Sequence, residues 1–164
     1  MNPSLLKLTF VSGLKDIVQD EIKQFSKIKI TEVAAGFLYI ETDHNNFKNI
    51  LSLKSIISVH IVKQDSRYNP KYLNKHKSLL GELIEIVLKE DSKKFKTFRL
   101  RCAGSQSDEI CDIKNYIKDT YKLNEAEDAD LEIYINKLES VWEISVRLSP
   151  RPLSLRDYRE KNIK

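Results

Sequence analysis

The sequence predicts an α+β protein made of two parts. Short runs in which apolar and polar residues alternate indicate half-buried strands, and longer runs with an apolar residue every three or four positions indicate amphipathic helices. A polar, turn-prone segment, Gln64 to Pro70, separates two such sets of elements. With 164 residues the chain is long enough for one ordinary domain or for two small ones.

Residues 1 to about 65 are predicted to begin with a strand and a helix. Leu5 to Phe10 is a short apolar run, and Ser12-Gly13 ends it. The helix that follows has apolar residues at helical spacing, namely Leu14, Ile17, Val18, Ile22 and Phe25. Two further strands, Ile28 to Val33 and Phe37 to Glu41, come next.

A second helix and a fourth strand complete this first part. Asp43 is expected to be the N-cap of the helix, because its carboxylate can accept bonds from the first backbone N–H groups. The apolar side of the helix carries Phe47, Ile50 and Leu51, and the strand alternates Ile57, Val59 and Ile61 with polar residues. The resulting order, βαββαβ, is that of a ferredoxin-like fold.

The second part is predicted to start with a long helical stretch from Tyr72, in which Gly81 is a candidate break. Thr97 to Cys102 then forms a strand. Its polar face carries Thr97, Arg99 and Arg101, opposite Phe98, Leu100 and Cys102. A further helix follows, in which Ser105 and Asp108 have the spacing of a capping box. Its apolar side is formed by Ile110, Ile113, Ile117 and Tyr121.

Two strands with period two close the second part. The first alternates Leu131, Ile133 and Ile135 with Glu132, Tyr134 and Asn136. The second places Trp142, Ile144, Val146 and Leu148 opposite Glu143, Ser145 and Arg147. Pro150 and Pro152 end the sheet, because proline has no N–H to donate to a strand ladder.

Residues 149–159 read Ser-Pro-Arg-Pro-Leu-Ser-Leu-Arg-Asp-Tyr-Arg. This exit from a paired strand resembles the end of the THUMP domain in RNA guanine-N2 methyltransferases, where a similar segment leads into a catalytic Rossmann-like domain. Upstream, Gly13-Leu14, the Ala34-Ala35-Gly36 turn and Leu51-Ser52-Leu53-Lys54-Ser55 resemble the ferredoxin-like domain that precedes THUMP in those enzymes. The resemblance covers nearly the whole chain.

The resemblance implies both a fold and a function. The fold would be α+β, a mixed sheet with helices, with a ferredoxin-like domain at 1–65, a THUMP RNA-binding domain at 66–156 and a linker at 157–164 toward a catalytic domain that this chain lacks. The chain would bind structured RNA, foremost the acceptor end of tRNA and otherwise rRNA. It would place that RNA for a guanine-N2 methyltransferase domain of the same polypeptide, and S-adenosylmethionine would belong to that domain.

Enzyme motifs are absent from the sequence. Its four glycines are too scattered for a phosphate or dinucleotide loop, and there is neither an Asn/Asp-Pro-Pro-aromatic motif nor a glycine-rich S-adenosylmethionine loop. Cys102 and Cys111 lack metal-ligand spacing. No catalytic, cofactor-binding or metal-binding residue is therefore predicted. Since no apolar run could cross a bilayer and no signal peptide is visible, a cytoplasmic location is expected. The chain is also expected to be a monomer.

Basic residues are unevenly distributed along the chain. Residues 63–101 carry 11 Lys/Arg against 5 Asp/Glu, 102–146 carry 4 against 11, and 147–164 carry 6 against 2. Guanidinium groups suit phosphate oxygens, so a patch of such residues would bind the RNA backbone. The candidates are Lys93, Lys94, Lys96, Arg99, Arg101, Arg147, Arg151, Arg156 and Arg159.

Two alternatives stay open at this stage. Arg99 and Arg101 could instead pair with Glu132 or Glu143 across the sheet and serve only structure. At the level of the whole protein, the chain could be a stand-alone THUMP adaptor that presents tRNA to a separate modifying enzyme, or a protein-interaction module that does not bind RNA. The reading frame downstream of Lys164 would separate the methyltransferase from the adaptor.

Overall fold

In the computed structural model, the described residues are 4–65, 73–90, 95–102, 108–138 and 141–148. These ranges contain eight strands and four helices. The strands are β1 Ser4–Phe10, β2 Lys29–Val33, β3 Phe37–Thr42, β4 Ile56–Asp65, β5 Thr97–Cys102, β6 Asn124–Glu125, β7 Leu131–Lys137 and β8 Trp142–Arg147. The helices are α1 Lys15–Lys23, α2 Phe47–Leu51, α3 Leu73–Glu90 and α4 Asp108–Tyr121.

The described residues divide into two compact units. The first unit contains those of 1–61 together with Leu148, and the second unit contains those of 62–147. Leu148 is held to the first unit by a bond from its backbone N–H to the carbonyl oxygen of Val59, at 2.7 Å. The predicted domain limits at residues 65 and 156 stay predictions, and the predicted linker at 157–164 lies outside the described residues.

The first unit has the element order that its sequence predicts. Its strands lie in the order β2-β3-β1-β4, and β3 is antiparallel to both β1 and β2. One side of this arrangement is mainly apolar, because alternate residues of β1 and β3 are buried there, as are the apolar residues of both helices. The side chains that are at most 3% exposed there include Leu6, Leu8, Phe10, Val18, Ile22, Leu38, Ile40, Phe47 and Ile50.

Two local predictions for the first unit are wrong. Asp43 makes no side-chain capping bond; it is extended and precedes a 3-10 turn, His44–Asn46, whose last N–H bonds to the Asp43 carbonyl oxygen at 3.0 Å. Ile17 is 49% exposed, although it was grouped with the apolar face of α1. Val18 and Ile22, four residues apart, define that face, and Ile17 lies about 100° away from Val18 around the helix axis.

The second unit has a mixed sheet with strand order β8-β7-β5-β6. β7 is antiparallel to β8, whereas β5 is parallel to both β7 and β6. Both helices of this unit are amphipathic, and α3 contacts α4 and β8. Fully buried residues include Leu80, Ile84, Val87, Phe98, Ile113, Ile117, Leu131, Ile133 and Val146. The predicted α+β fold class is confirmed, while β6 was not predicted, because two residues are too few to show a period.

Gly81 does not break α3, contrary to the expected interruption. It is buried within the helix, and a Cβ built there would lie 3.1 Å from the hydroxyl oxygen of Tyr121 and 3.3 Å from that of Tyr116, both on α4. The Tyr121 hydroxyl also donates to the Gly81 carbonyl oxygen, at 3.4 Å. The glycine therefore lets two helices approach each other closely.

β8 is buried on both faces, so the prediction that it is half-buried is wrong. Its polar residues Glu143, Ser145 and Arg147 are 1%, 4% and 8% exposed. Glu143 accepts a bond from the amide of Gln64 at 3.0 Å, and Arg147 pairs with Glu132 on β7. The alternation thus separates an apolar face from a polar face whose charged residues pair within the fold.

Candidate nucleic-acid interface

β5 presents basic side chains on one face of the second unit. Lys96, immediately before the strand, is exposed; Arg99 is half-buried and Arg101 is exposed. Phe98 and Leu100, which alternate with the arginines, are 0% and 6% exposed and belong to the core. Because successive side chains of a strand point to opposite faces, burial of these two residues fixes the arginines on the other face.

The start of β5 is anchored by Asp130. One oxygen of its carboxylate, Oδ2, accepts the backbone N–H of Lys96 at 2.9 Å, the N–H of Thr97 at 3.3 Å and the Thr97 hydroxyl at 3.2 Å. The same hydroxyl accepts the backbone N–H of Asp130 at 2.9 Å. Since these bonds join the strand to the segment before β7, they hold the backbone that carries the basic residues.

Four side chains on β5, β7 and β8 form a connected group, which we term the Glu132 cluster: Arg101, Glu132, Tyr134 and Arg147. Glu132 Oε2 accepts the Tyr134 hydroxyl and Arg147 Nη1, the latter at 3.2 Å. Glu132 Oε1 lies 3.7 Å from Arg101 Nη2. The Arg101 guanidinium carbon lies 5.9 Å from the centre of the Tyr134 ring, within the range of a cation–π contact.

The members of the Glu132 cluster differ in their exposure to solvent. The side chains of Glu132 and Arg147 are 11% and 9% exposed, whereas that of Arg101 is 43% exposed. Burial raises the pKa of Tyr134 to about 12, assisted by its hydrogen bond to Glu132 and by the charge of that carboxylate, while the two arginines act in the opposite direction. Tyr134 is therefore a neutral hydrogen-bond donor at physiological pH.

The predicted RNA-binding residues are brought together only in part. Arg99 and Arg101 share one face of β5, and the exposed Lys96 immediately precedes the strand. Arg147 lies on the same polar face as the arginines, two strands away, but is buried. The remaining five candidates, Lys93, Lys94, Arg151, Arg156 and Arg159, lie outside the described residues.

Pairing with acidic residues, the alternative considered for the arginines, is also present. Arg101 pairs with Glu132, as anticipated, and so does Arg147. Arg99 instead donates to the carbonyl oxygen of Glu127, at 3.3 Å. Sequence reasoning missed Asp130, because nothing in its spacing distinguishes it from the acidic residues beside it.

His44, His60 and Cys102 are buried or half-buried. His60 Nε2 lies 2.9 Å from the Ser58 hydroxyl, and His44 stacks on Phe47 with ring centres 4.8 Å apart. Burial raises the pKa of the Cys102 thiol. Within the described ranges, no three His, Cys, Asp or Glu side chains are grouped so that they could hold a metal ion. None of the described helices combines the length and apolarity needed to span a membrane.

Comparison with known proteins places the fold. No known sequence family matches the chain, and no curated protein matches it either. Among solved structures, TrmN from Thermus thermophilus aligns with a TM-score of 0.58 at 14% identity, covering 93% of this chain and 48% of that one. A 4-thiouridine synthetase in complex with RNA and bound ATP aligns at 0.57 and 13% identity, covering 88% and 41%.

A third solved structure, a possible methylase from Clostridium difficile 630, aligns at 0.54 and 13% identity, covering 88% of this chain and 41% of that one. At such identities the likeness is one of fold, and it agrees with the predicted fold class. The chain spans less than half the length of each of these three proteins.

Proposed function

We propose that this chain is an RNA-binding module that holds structured RNA, foremost the acceptor end of tRNA, for an RNA-modifying catalytic domain. The observation that carries the proposal is the basic face of β5, where Arg99 and Arg101 project from a strand whose start, next to the exposed Lys96, is fixed by Asp130. The guanidinium group of arginine can donate two parallel hydrogen bonds to phosphate oxygens. A strand that is already fixed loses little conformational freedom when such contacts form.

Two further points support RNA as the partner. The fold is shared with a 4-thiouridine synthetase whose structure contains RNA. The C-terminal segment from Ser149 to Arg159 resembles the exit of THUMP domains toward a methyltransferase. A guanine-N2 methyltransferase domain following in the same polypeptide, with S-adenosylmethionine as its cofactor, is the form of the proposal that this resemblance favours.

The mechanism is placement of the RNA at a fixed distance from the active site. The major groove of A-form RNA is too narrow for side chains to read bases, and an enzyme that modifies a base must reach it outside the stack. A module that binds the backbone and the end of an RNA therefore adds specificity, because only a nucleotide at a fixed distance from that end reaches the active site. The chain contributes affinity and orientation, and the chemistry belongs to the catalytic domain.

A binding titration of the whole chain tests this function. Fluorescence anisotropy would compare intact tRNA, the same tRNA without its unpaired 3′ nucleotides, and a DNA duplex of equal charge. We expect tRNA to bind, trimmed tRNA to bind more weakly, and DNA to bind most weakly. Equal affinity for all three would contradict the proposal, because it would indicate attraction to charge alone.

A stand-alone adaptor is the second candidate function. Sequencing the gene beyond the codon for Lys164 decides between the two. An open frame that continues into a glycine-rich loop and an Asn/Asp-Pro-Pro-aromatic motif supports the fused enzyme, and a stop codon supports the adaptor.

A further inference from the structure

Glu132 is a single carboxylate placed between two arginines, and its two oxygens are used differently. Oε2 accepts the Tyr134 hydroxyl and Arg147 Nη1, the latter at 3.2 Å. Oε1 faces Arg101 Nη2 at 3.7 Å, a distance that suits an ion pair but is too long for a hydrogen bond. Oε2 of the carboxylate therefore accepts hydrogen bonds, whereas Oε1 has only the longer ion-pair contact with Arg101.

The two arginines also differ in how strongly they interact with that carboxylate. Arg147 is 9% exposed and Arg101 is 43% exposed, so the Arg147–Glu132 attraction acts in a lower effective dielectric and is screened less. With Glu132 neutralised by Arg147, the two arginines and the one carboxylate leave a net charge of +1. That positive charge is accessible at Arg101.

We infer that Arg147 is a positioning residue for RNA binding: by occupying Glu132 it limits the Arg101–Glu132 pair to a long contact, so that Arg101 can still contact a phosphate. This inference rests on the proposed function and deepens it. Arg147 is too buried to contact RNA itself, and its effect passes through Glu132. The Tyr134 ring beneath the Arg101 guanidinium helps to orient that group, at 5.9 Å.

The inference predicts an indirect loss and a specific rescue. In Arg147→Met, Glu132 loses its buried partner and pairs more strongly with Arg101, which then competes with the phosphate. The affinity should fall by up to roughly tenfold, close to the effect of Arg101→Ala, and the log–log salt slope should decrease by about 0.7 to 0.9. Adding Glu132→Gln to Arg147→Met removes the competing carboxylate, so both quantities should return toward wild-type values.

The experiment measures tRNA affinity against salt for the wild-type chain, Arg101→Ala, Arg147→Met, Glu132→Gln and the double variant. Arg147→Lys, which keeps the charge, should stay near wild type. The matched control adds Glu143→Gln to Arg147→Met, because Glu143 is a buried carboxylate on the same strand as Arg147 that accepts a bond from Gln64 instead. This control should not restore binding.

Several outcomes would overturn the inference. One is an Arg147→Met variant with wild-type affinity and slope, and another is rescue by Glu143→Gln as effective as that by Glu132→Gln. Glu132→Gln alone gives a test that does not depend on whether Arg147→Met folds: we expect less than about a twofold change, since Arg147 already neutralises Glu132. A tenfold gain would show that Glu132 holds Arg101 in the wild type and would contradict the inference.

The failure of the inference and the failure of the proposed function are distinguishable. If the wild-type chain does not bind tRNA, or if Arg101→Ala has no effect, the proposed RNA interface is wrong and the inference falls with it. If Arg101→Ala weakens binding while Arg147→Met does not, the interface stands and the positioning role of Arg147 is refuted.

Discussion

Replacing Asp130 by alanine should both destabilise the chain and weaken RNA binding. The change removes the carboxylate oxygen that accepts the N–H groups of Lys96 and Thr97 and the Thr97 hydroxyl. The Lys96 carbonyl oxygen would still accept the N–H of Asn124, at 3.1 Å, so β5 would keep its pairing with β6. The start of β5 would therefore keep its pairing with β6 but lose its side-chain hydrogen bonds to the segment before β7.

The expected cost follows from the exposure of these bonds. A hydrogen bond to a charged group contributes about 1.5–3 kcal/mol when it is buried and leaves no replacement. Here Lys96 is exposed and Thr97 and Asp130 are half-buried, so water can replace part of the loss. We therefore expect a decrease of about 1–3 kcal/mol in the free energy of unfolding, which for a chain of this size lowers Tm by about 2–4 °C per kcal/mol.

Urea unfolding followed by circular dichroism measures the stability, and anisotropy measures the tRNA affinity. Asp128→Ala is the matched control: it removes the same charge from an exposed residue two positions earlier. The stability and affinity of Asp130→Asn should lie between those of wild type and Asp130→Ala, since the asparagine amide oxygen can still accept hydrogen bonds, although more weakly. If Asp130→Ala and Asp128→Ala agree within about 0.5 kcal/mol and in affinity, the anchoring role of Asp130 is refuted.

Three further predictions concern other parts of the chain. Lys122 follows α4 with φ 57° and donates its N–H to the Lys118 carbonyl oxygen at 3.0 Å. Because glycine adopts a positive φ without strain, Lys122→Gly should raise the free energy of unfolding in urea by about 0.5–1 kcal/mol. The control Lys118→Gly, inside the helix, should lower it by about 1 kcal/mol. Because the pKa of Tyr134 is raised to about 12, its neutral form contributes stability that is complete below pH 10 and lost as the pH rises toward 12. The difference in tyrosinate absorbance between wild type and Tyr134→Phe should show a midpoint near that value, and Glu132→Gln should lower it; a midpoint at the ordinary tyrosine pKa would contradict the assignment. Finally, calorimetry should detect no binding of S-adenosylmethionine to this chain, because its sequence has no glycine-rich cofactor loop; stoichiometric binding would contradict this prediction.

Periodicity predicted most of the elements, because burial against a single core imposes the same period on sequence and structure. The strand at Thr97–Cys102 and the helix stripe through Ile110, Ile113 and Ile117 are examples. Periodicity does not predict whether the polar face of a strand is exposed to solvent or buried. Glu143 and Arg147 alternate with apolar residues as exposed residues would, yet both are buried by contacts made across the fold.

The candidate site was predictable in its residue types but not in its connections. The spacing of Arg99 and Arg101 placed both on one face of a strand, and this is confirmed. That both Arg101 and Arg147 reach Glu132 depends on β7 lying between β5 and β8, which no local pattern specifies. Gly81 shows the same limit, since its role depends on two tyrosines that are about 35 and 40 positions away.

The salt dependence of tRNA binding tests the central claim most directly. The variant Lys96→Ala/Arg99→Ala/Arg101→Ala removes two positive charges from the basic face of β5 and one from the residue that immediately precedes the strand. A control with three exposed lysines of the first unit changed to alanine, at Lys15, Lys23 and Lys48, removes the same net charge elsewhere. If β5 contacts the RNA backbone, the first variant should lower the log–log slope by about 2 to 3 and weaken binding to unrelated tRNAs alike, while the control retains most of both. Equal slopes and affinities for the two variants would show that β5 is not the RNA-binding surface.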